Sequence, residues 1–308
     1  MPFGPAVRRR LTPFGMGQTK STKSSFFVPM HVRFNSSTWR MALPALLALF
    51  LGTRGSAQGP ISGFPMAKGK AAIALTYSTD NYDTYLLPDD VEEARDIETL
   101  SYSFFAEWGM SDRASLVATL PYMQTNDGDG SLQDAALWIK YMNLDRRGER
   151  FAHRFFTAVG LSTPVGDYET TTVEAIGQRA TVFQGRLTYQ FQHDAGWFVQ
   201  AQSGIDFQFA PEASSSWPVL LRTGYGAKYF YVEGWYEFIT ALESGSGLQS
   251  ATAGTGSSWQ RVGVTGYVPI TKWLGVSVGG AWVTSGNFIG KSRRVNAGVI
   301  FNLNAGKE

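Results

Sequence analysis

The sequence predicts an all-β protein: a single antiparallel transmembrane β-barrel of about 12 strands, preceded by a cleavable signal peptide. Three observations predict it. An export-type segment opens the chain, stretches of about ten residues with alternating apolar and polar side chains fill the rest, and their connections run alternately short and long.

Residues 1–57 hold eight Lys and Arg (Arg8, Arg9, Arg10, Lys20, Lys23, Arg33, Arg40, Arg54) and no Asp or Glu. Arg40 precedes an apolar run from Met41 to Leu51, and Gly55-Ser56-Ala57 follows, the order of a secretory signal. Eleven residues are too few to cross a bilayer. The 29 residues before Met30 fit no export model, which points to Met30 as the true start. An Arg- and Ser-rich, acid-free stretch also fits a mitochondrial presequence, the competing reading. On the bacterial reading, 1–57 is an N-terminal extension and signal, and 58–308 is an outer-membrane barrel domain of a Gram-negative-type envelope.

Removing 1–57 takes the 27 basic residues to 19 against 25 acidic ones, a net charge of −6, which excludes a basic nucleic-acid-seeking protein. Aromatic residues make up 14% and charged ones 17%, yet no apolar run after residue 60 is long enough for a membrane helix. With no cysteine, thiol catalysis and Cys-based metal sites are excluded too.

Twelve strands are expected at about 69–80, 97–109, 114–124, 132–142, 153–164, 179–192, 197–208, 217–227, 230–240, 259–270, 273–284 and 293–304. In 99–109, Leu100, Tyr102, Phe104, Ala106 and Trp108 share one face and Thr99, Ser101, Ser103 and Glu107 the other, with Phe105 the lone intruder on the polar side. Stretches 183–192 and 197–208 alternate in the same way. Short periplasmic turns are expected at 109–113, 143–152, 193–196, 227–229 and 271–272; the second is too long for the pattern. Outer loops are expected at 81–96, 125–131, 165–178, 209–216, 241–258 and 285–292. Aromatics near strand ends (Tyr77, Trp108, Tyr122, Tyr141, Trp197, Trp217, Tyr229, Trp259, Trp273, Trp282) suggest two interfacial girdles, although aromatics favour strands anyway.

If the apolar face meets lipid, the polar face lines the lumen. Strands six to nine then contribute Arg186, Gln190, Gln200, Gln202, Asp206, Arg222, Glu233, Trp235 and Glu237, an ion-pair and amide network serving either as a selective constriction or as a structural prop. The facing wall offers small residues: Ala158, Gly160 and Ser162, then Gly275, Ser277, Gly279 and Ala281, then Asn296, Gly298 and Asn302. Either a narrow passage runs along that wall, or its glycines relieve twist.

Catalytic and metal signals are poor. After signal removal only His153 and His193 remain, both at expected turns, and neither makes a nucleophile–base pair. Asn126–Ser131 resembles a calcium-loop fragment but lacks the later Gly and Glu. The acidic stretch Asp80, Asp83, Asp89, Asp90, Glu92 and Glu93 reads as a solvated loop that could meet divalent ions near lipopolysaccharide. No catalytic residue, metal or cofactor is expected.

Several short motifs carry a family resemblance: Pro65-Met66-Ala67-Lys68-Gly69-Lys70, Leu120-Pro121-Tyr122, Gly130-Ser131-Leu132-Gln133-Asp134 before Lys140-Tyr141, and Leu161-Ser162-Thr163-Pro164-Val165-Gly166-Asp167-Tyr168. Over roughly 65–304 the chain resembles the outer-membrane protein family named for the MetA pathway of phenol degradation. The resemblance implies a barrel that passes small organic solutes, aromatic or hydrophobic ones among them, and it transfers no binding residues. Barrels of this kind commonly end on an aromatic residue, whereas here Phe301 is followed by seven more residues, so the signal read by the barrel-assembly machinery is displaced or variant. A channel or facilitator for small organic solutes is the leading reading. A structural or adhesive barrel working through its outer loops is the alternative. The expected partners are outer-membrane lipid and lipopolysaccharide, the assembly machinery and small organic solutes, with no nucleic acid and no enzymatic activity.

Overall fold

The computed structural model describes residues 61–89, 91–126, 128–170, 172, 175–242 and 253–304. The 1–57 segment with Met30, Asp90, Asp127, most of the 241–258 loop and the last four residues lie outside the described residues. The strands are β1 (Lys70–Leu86), β2 (Glu92–Gly109), β3 (Ala114–Thr125), the two-residue β4 (Ser131–Leu132), β5 (Asp134–Arg147), β6 (Phe151–Pro164), β7 (Thr181–His193), β8 (Trp197–Ala210), β9 (Ser214–Gly226), β10 (Tyr231–Ala241), β11 (Ala253–Pro269), β12 (Leu274–Gly290) and β13 (Arg293–Asn304). Every full-length strand pairs antiparallel with its chain neighbours, and β13 pairs back onto β1, from Lys70 opposite Asn304 to Asn81 opposite Arg293. With β4 only patching the top of β3, the ring is a closed barrel of 12 strands. Closure matters physically: hydrocarbon offers no hydrogen bonds, so the wall itself must satisfy its backbone.

Alternation decides which way each strand faces. On β5, Leu137, Ile139 and Tyr141 are exposed on the outside while Trp138, Lys140 and Met142 are buried inside. Outward Val159, Leu161, Leu187, Val264 and Val278 continue the apolar belt around the wall. This is the arrangement of an outer-membrane barrel, with lipid in the place of a hydrophobic core.

All five short turns lie at one end, here the turn end. The long expected turn after the fourth strand is a correction. β5 runs on to Arg147 and β6 begins at Phe151, leaving three residues between them. A bulge at Asn143 hides this continuation, since the register moves from Met142↔Phe156 to Leu144↔Phe155. The extra residue turns Leu144 outward, in step with Leu137, and brings Asp145 inward to Arg154 at 3.2 Å.

At the opposite, loop end, the expected loops 81–96 and 285–292 are also corrected, because β1, β2 and β12 project as long strands with only 87–91 and 291–292 left as connections. Of the acidic residues read there as a solvated loop, Asp80, Asp83, Glu92 and Glu93 are strand residues, and three of them have partners: Asp80 pairs with Arg294, Glu92 with Lys291 and Glu93 with Arg95, while Asp89 stays in the connection. Loop 209–216 likewise shrinks to 211–213. The 165–180 connection is a real loop and folds back on the barrel, burying Ala175, Ile176 and Ala180.

Most of the expected girdle residues face outward. Trp108, Tyr141, Trp197, Trp217, Tyr229, Trp273 and Trp282 are exposed on the outside, and Phe301 stacks on Trp273. Trp259 is the correction, since it packs against the inner cluster of Leu86, Val283 and Ile289 at the loop end. His153 and His193 belong to the turn-end aromatic band: His153 hydrogen-bonds Tyr189 at 2.6 Å, and His193 stacks on Trp197.

Candidate functional site: the lumen

The lumen divides into a filled half and an open half. In the filled half, near the turn end, residues 61–64 lie inside the barrel, and the more exposed 65–69 lead from them to Lys70, where the wall begins. Ile61 packs with Val117, Trp138 and Ala158, and Phe105 closes over them. The intruding Phe105 thus has a reason: its polar-face position points at this inner apolar layer. Phe64 meets Phe198 edge-on at 5.2 Å, with Tyr231 beyond.

Polar groups fix the inner segment in place. Lys140 is buried and pairs with Glu107 at 2.6 Å, which in turn accepts the Ser115 hydroxyl at 2.8 Å. The same ammonium donates to the carbonyls of Phe64 at 2.9 Å and Ser62 at 3.3 Å. From the other wall, Gln200 Oε1 accepts the Gly63 N–H at 2.9 Å. A Cβ on Gly63 would sit 2.2 Å from Gln190 Oε1, so only glycine passes between these two amides.

Above Ile61 lies a cavity of about 460 Å³, within the range of small-molecule sites. Arg186, Gln202, Arg222, Glu233, Trp235 and Glu237 line it on one side, and Ser277, Ala281 and Asn296 on the other. Arg186 grips Asp206 through two hydrogen bonds, at 2.6 and 2.9 Å. It also reaches the Ile205 carbonyl at 3.3 Å, beside the place where β8–β9 pairing is interrupted opposite Pro218, which has no N–H to give. Thr188 donates to Gln202 at 3.2 Å.

The nine residues expected on the polar wall therefore fall into two groups. Arg186, Gln202, Arg222, Glu233, Trp235 and Glu237 meet the cavity, with Asp206 behind Arg186. Gln190 and Gln200 lie fully buried below, against the inner segment. Glu237 pairs with Arg261 of β11 at 2.6 Å, so the charged network continues past the four expected strands. The sequence reading placed Glu107 on the polar face but missed Arg261, Arg294, Asp80 and Lys140 as lumenal charges. Lys140 and Glu107 carried a legible signal, each being a polar residue between two apolar ones in an alternating strand.

The small-residue wall also differs from expectation in part. Gly160 faces the Trp138 ring and Gly275 the Tyr267 ring, each so close that a Cβ would lie 2.3 Å away. There the missing side chain makes room for a ring from the adjacent strand. Among the described residues, no group of three or more His, Cys, Asp or Glu could hold a metal ion. Asn126, read as the start of a calcium-loop fragment, uses its side chain to accept the Glu98 N–H at 2.8 Å in the turn.

No family model matches the sequence, and no curated protein matches it. Solved structures do. The chain is similar to an outer membrane channel from Pseudomonas putida F1, with a TM-score of 0.63 at 12% identity over 80% of this chain and 100% of that one. The NanC porin gives a TM-score of 0.49 at 6% identity, over 75% of this chain and 100% of that one. The translocator domain of the autotransporter NalP from Neisseria meningitidis gives 0.44 at 12% identity, over 86% and 96%. At such identities the likeness is one of fold; taken from the Pseudomonas putida channel alone, and with the apolar belt, it is that of a barrel of the cell outer membrane.

Proposed function

We propose that the protein is a passive channel or facilitator for small organic solutes, aromatic and hydrophobic ones among them. The observation that carries this reading is the solute-sized cavity inside the barrel, where most of the lining charges (Arg186, Glu237, Arg261 and Arg294) are held in ion pairs and so cost a neutral solute little to pass. The turn end opens to the periplasm, the belt contacts outer-membrane lipid with lipopolysaccharide at the loop end, and barrel-assembly machinery inserts the chain.

Membership of the MetA-pathway family fits this reading. Two of its motif stretches meet in space: the Tyr168 hydroxyl donates to Asp134 at 2.6 Å and accepts the Arg179 N–H at 3.0 Å. Burial first, and then the neighbouring Asp134, push the Tyr168 hydroxyl well above its usual pKa, so it stays a donor at every physiological pH. The motifs thus anchor the one long described loop to the barrel rim. That use is inward, which favours a channel over an adhesive surface.

The test is solute flux through residues 58–308 refolded into liposomes, comparing a small sugar with phenol. Phenol flux should exceed sugar flux, and replacing both Glu237 and Arg261 by Ala should raise both. A folded barrel that passes neither solute would end the channel reading.

A further inference from the structure

Each inward-facing arginine but one is in direct ion-pair contact with a carboxylate among the described residues. Arg95 pairs with Glu93, Arg154 with Asp145, Arg186 with Asp206, Arg261 with Glu237 and Arg294 with Asp80, at 2.6 to 3.2 Å. Arg222 is the exception. It is 5% exposed, it lines the cavity, and its Nε and Nη1 have no hydrogen-bond partner. Its cross-strand neighbours are Gln200 on β8 and Trp235 on β10. The Glu233 carboxylate is close enough to attract Arg222 electrostatically, yet it accepts the Tyr231 hydroxyl at 2.8 Å and makes no ion pair with the guanidinium.

A guanidinium taken out of water with donors unmet is costly, and the group that best meets it is a carboxylate, whose two oxygens match the planar fork. We propose that Arg222 anchors the carboxylate of a small organic acid in the lumen. Of the four guanidinium groups lining the cavity, Arg186, Arg261 and Arg294 are held by Asp206, Glu237 and Asp80, which leaves Arg222 to meet a single negative charge, whereas a polyanion would meet Glu233 and Glu237. Leu220, Ile239, Pro218 and Ala281 supply apolar lining for the body of such an acid. The solute class is thus a monocarboxylate with a compact apolar body, of which benzoate is the simplest probe. Its passage rests on the channel reading above; its binding does not.

The experiment is calorimetric titration of the folded mature barrel in detergent with benzoate, and with benzyl alcohol as the neutral analogue. Benzoate should bind at least about tenfold more tightly than the alcohol, the scale of a charged hydrogen bond. Arg222→Gln should remove that preference, and Arg222→Lys should keep part of it. Glu233→Gln should tighten benzoate binding several-fold, a gain that no folding defect can imitate. Equal affinity for acid and alcohol, or a preference that survives in Arg222→Gln, would overturn the site. Currents in planar bilayers separate the two ideas: benzoate binding without conductance sinks the channel and keeps the site, while conductance without Arg222-dependent binding does the reverse.

Discussion

Lys140 concentrates the energetics of the filled half in one side chain. It is buried, its ammonium meets Glu107, and it carries two carbonyls of the inner segment. A buried pair is weak evidence for net stability, because desolvation offsets attraction, but removing one partner strands the other. Lys140→Met should therefore cost about 3–5 kcal/mol in urea unfolding from lipid. Adding Glu107→Gln should restore much of the loss, since the stranded charge disappears with it. If the double variant were no more stable than the single one, the main role of Lys140 would be to hold Ser62 and Phe64.

At the scale of elements, strand existence was far more legible than strand extent. All 12 expected strands occur, because within the lipid zone every outward residue must be apolar and the alternation is forced. Beyond that zone the outward side may be polar, as with Asn81, Asp83, Asp96 and Glu98, and the period disappears while the strand continues. Bulges hide the same information more sharply: Asn143 shifts the phase, so Leu144 falls out of step with the sequence pattern. The glycines were legible as small inward positions but not as receptors for rings, since which ring fills the gap depends on cross-strand register. Gly160 lies directly opposite Trp138. Gly160→Ala should cost about 1–3 kcal/mol, the range for overpacking a tight site. In the Trp138→Leu background the same change should cost much less. Equal costs in the two backgrounds would mean that backbone curvature, not the ring, requires the glycine.

For the whole molecule, the inner segment is what no periodicity could announce. Residues 61–69 form no strand, and nothing in their composition says that the first four of them lie within the barrel rather than before it. The charged wall was legible because it alternates; its floor was not, because Ile61, Gly63 and Phe64 find their places only once β3, β5, β6 and β8 surround them. They are held by side chains of the wall, among them three Lys140 bonds, the Gln200 bond, the Ile61 packing and the Phe64 ring contacts. The closed wall, by contrast, is paired along its whole circumference. That contrast predicts a separable plug. Deleting residues 58–64 should leave the β content and the heat-modifiable mobility of the folded barrel intact, while raising its conductance several-fold. Gly63→Leu, which cannot pass between Gln190 and Gln200, should act in the same direction without shortening the chain. Conductance unchanged in both variants would mean that solutes already bypass the segment, and the route would then have to leave the cavity elsewhere than past Ile61.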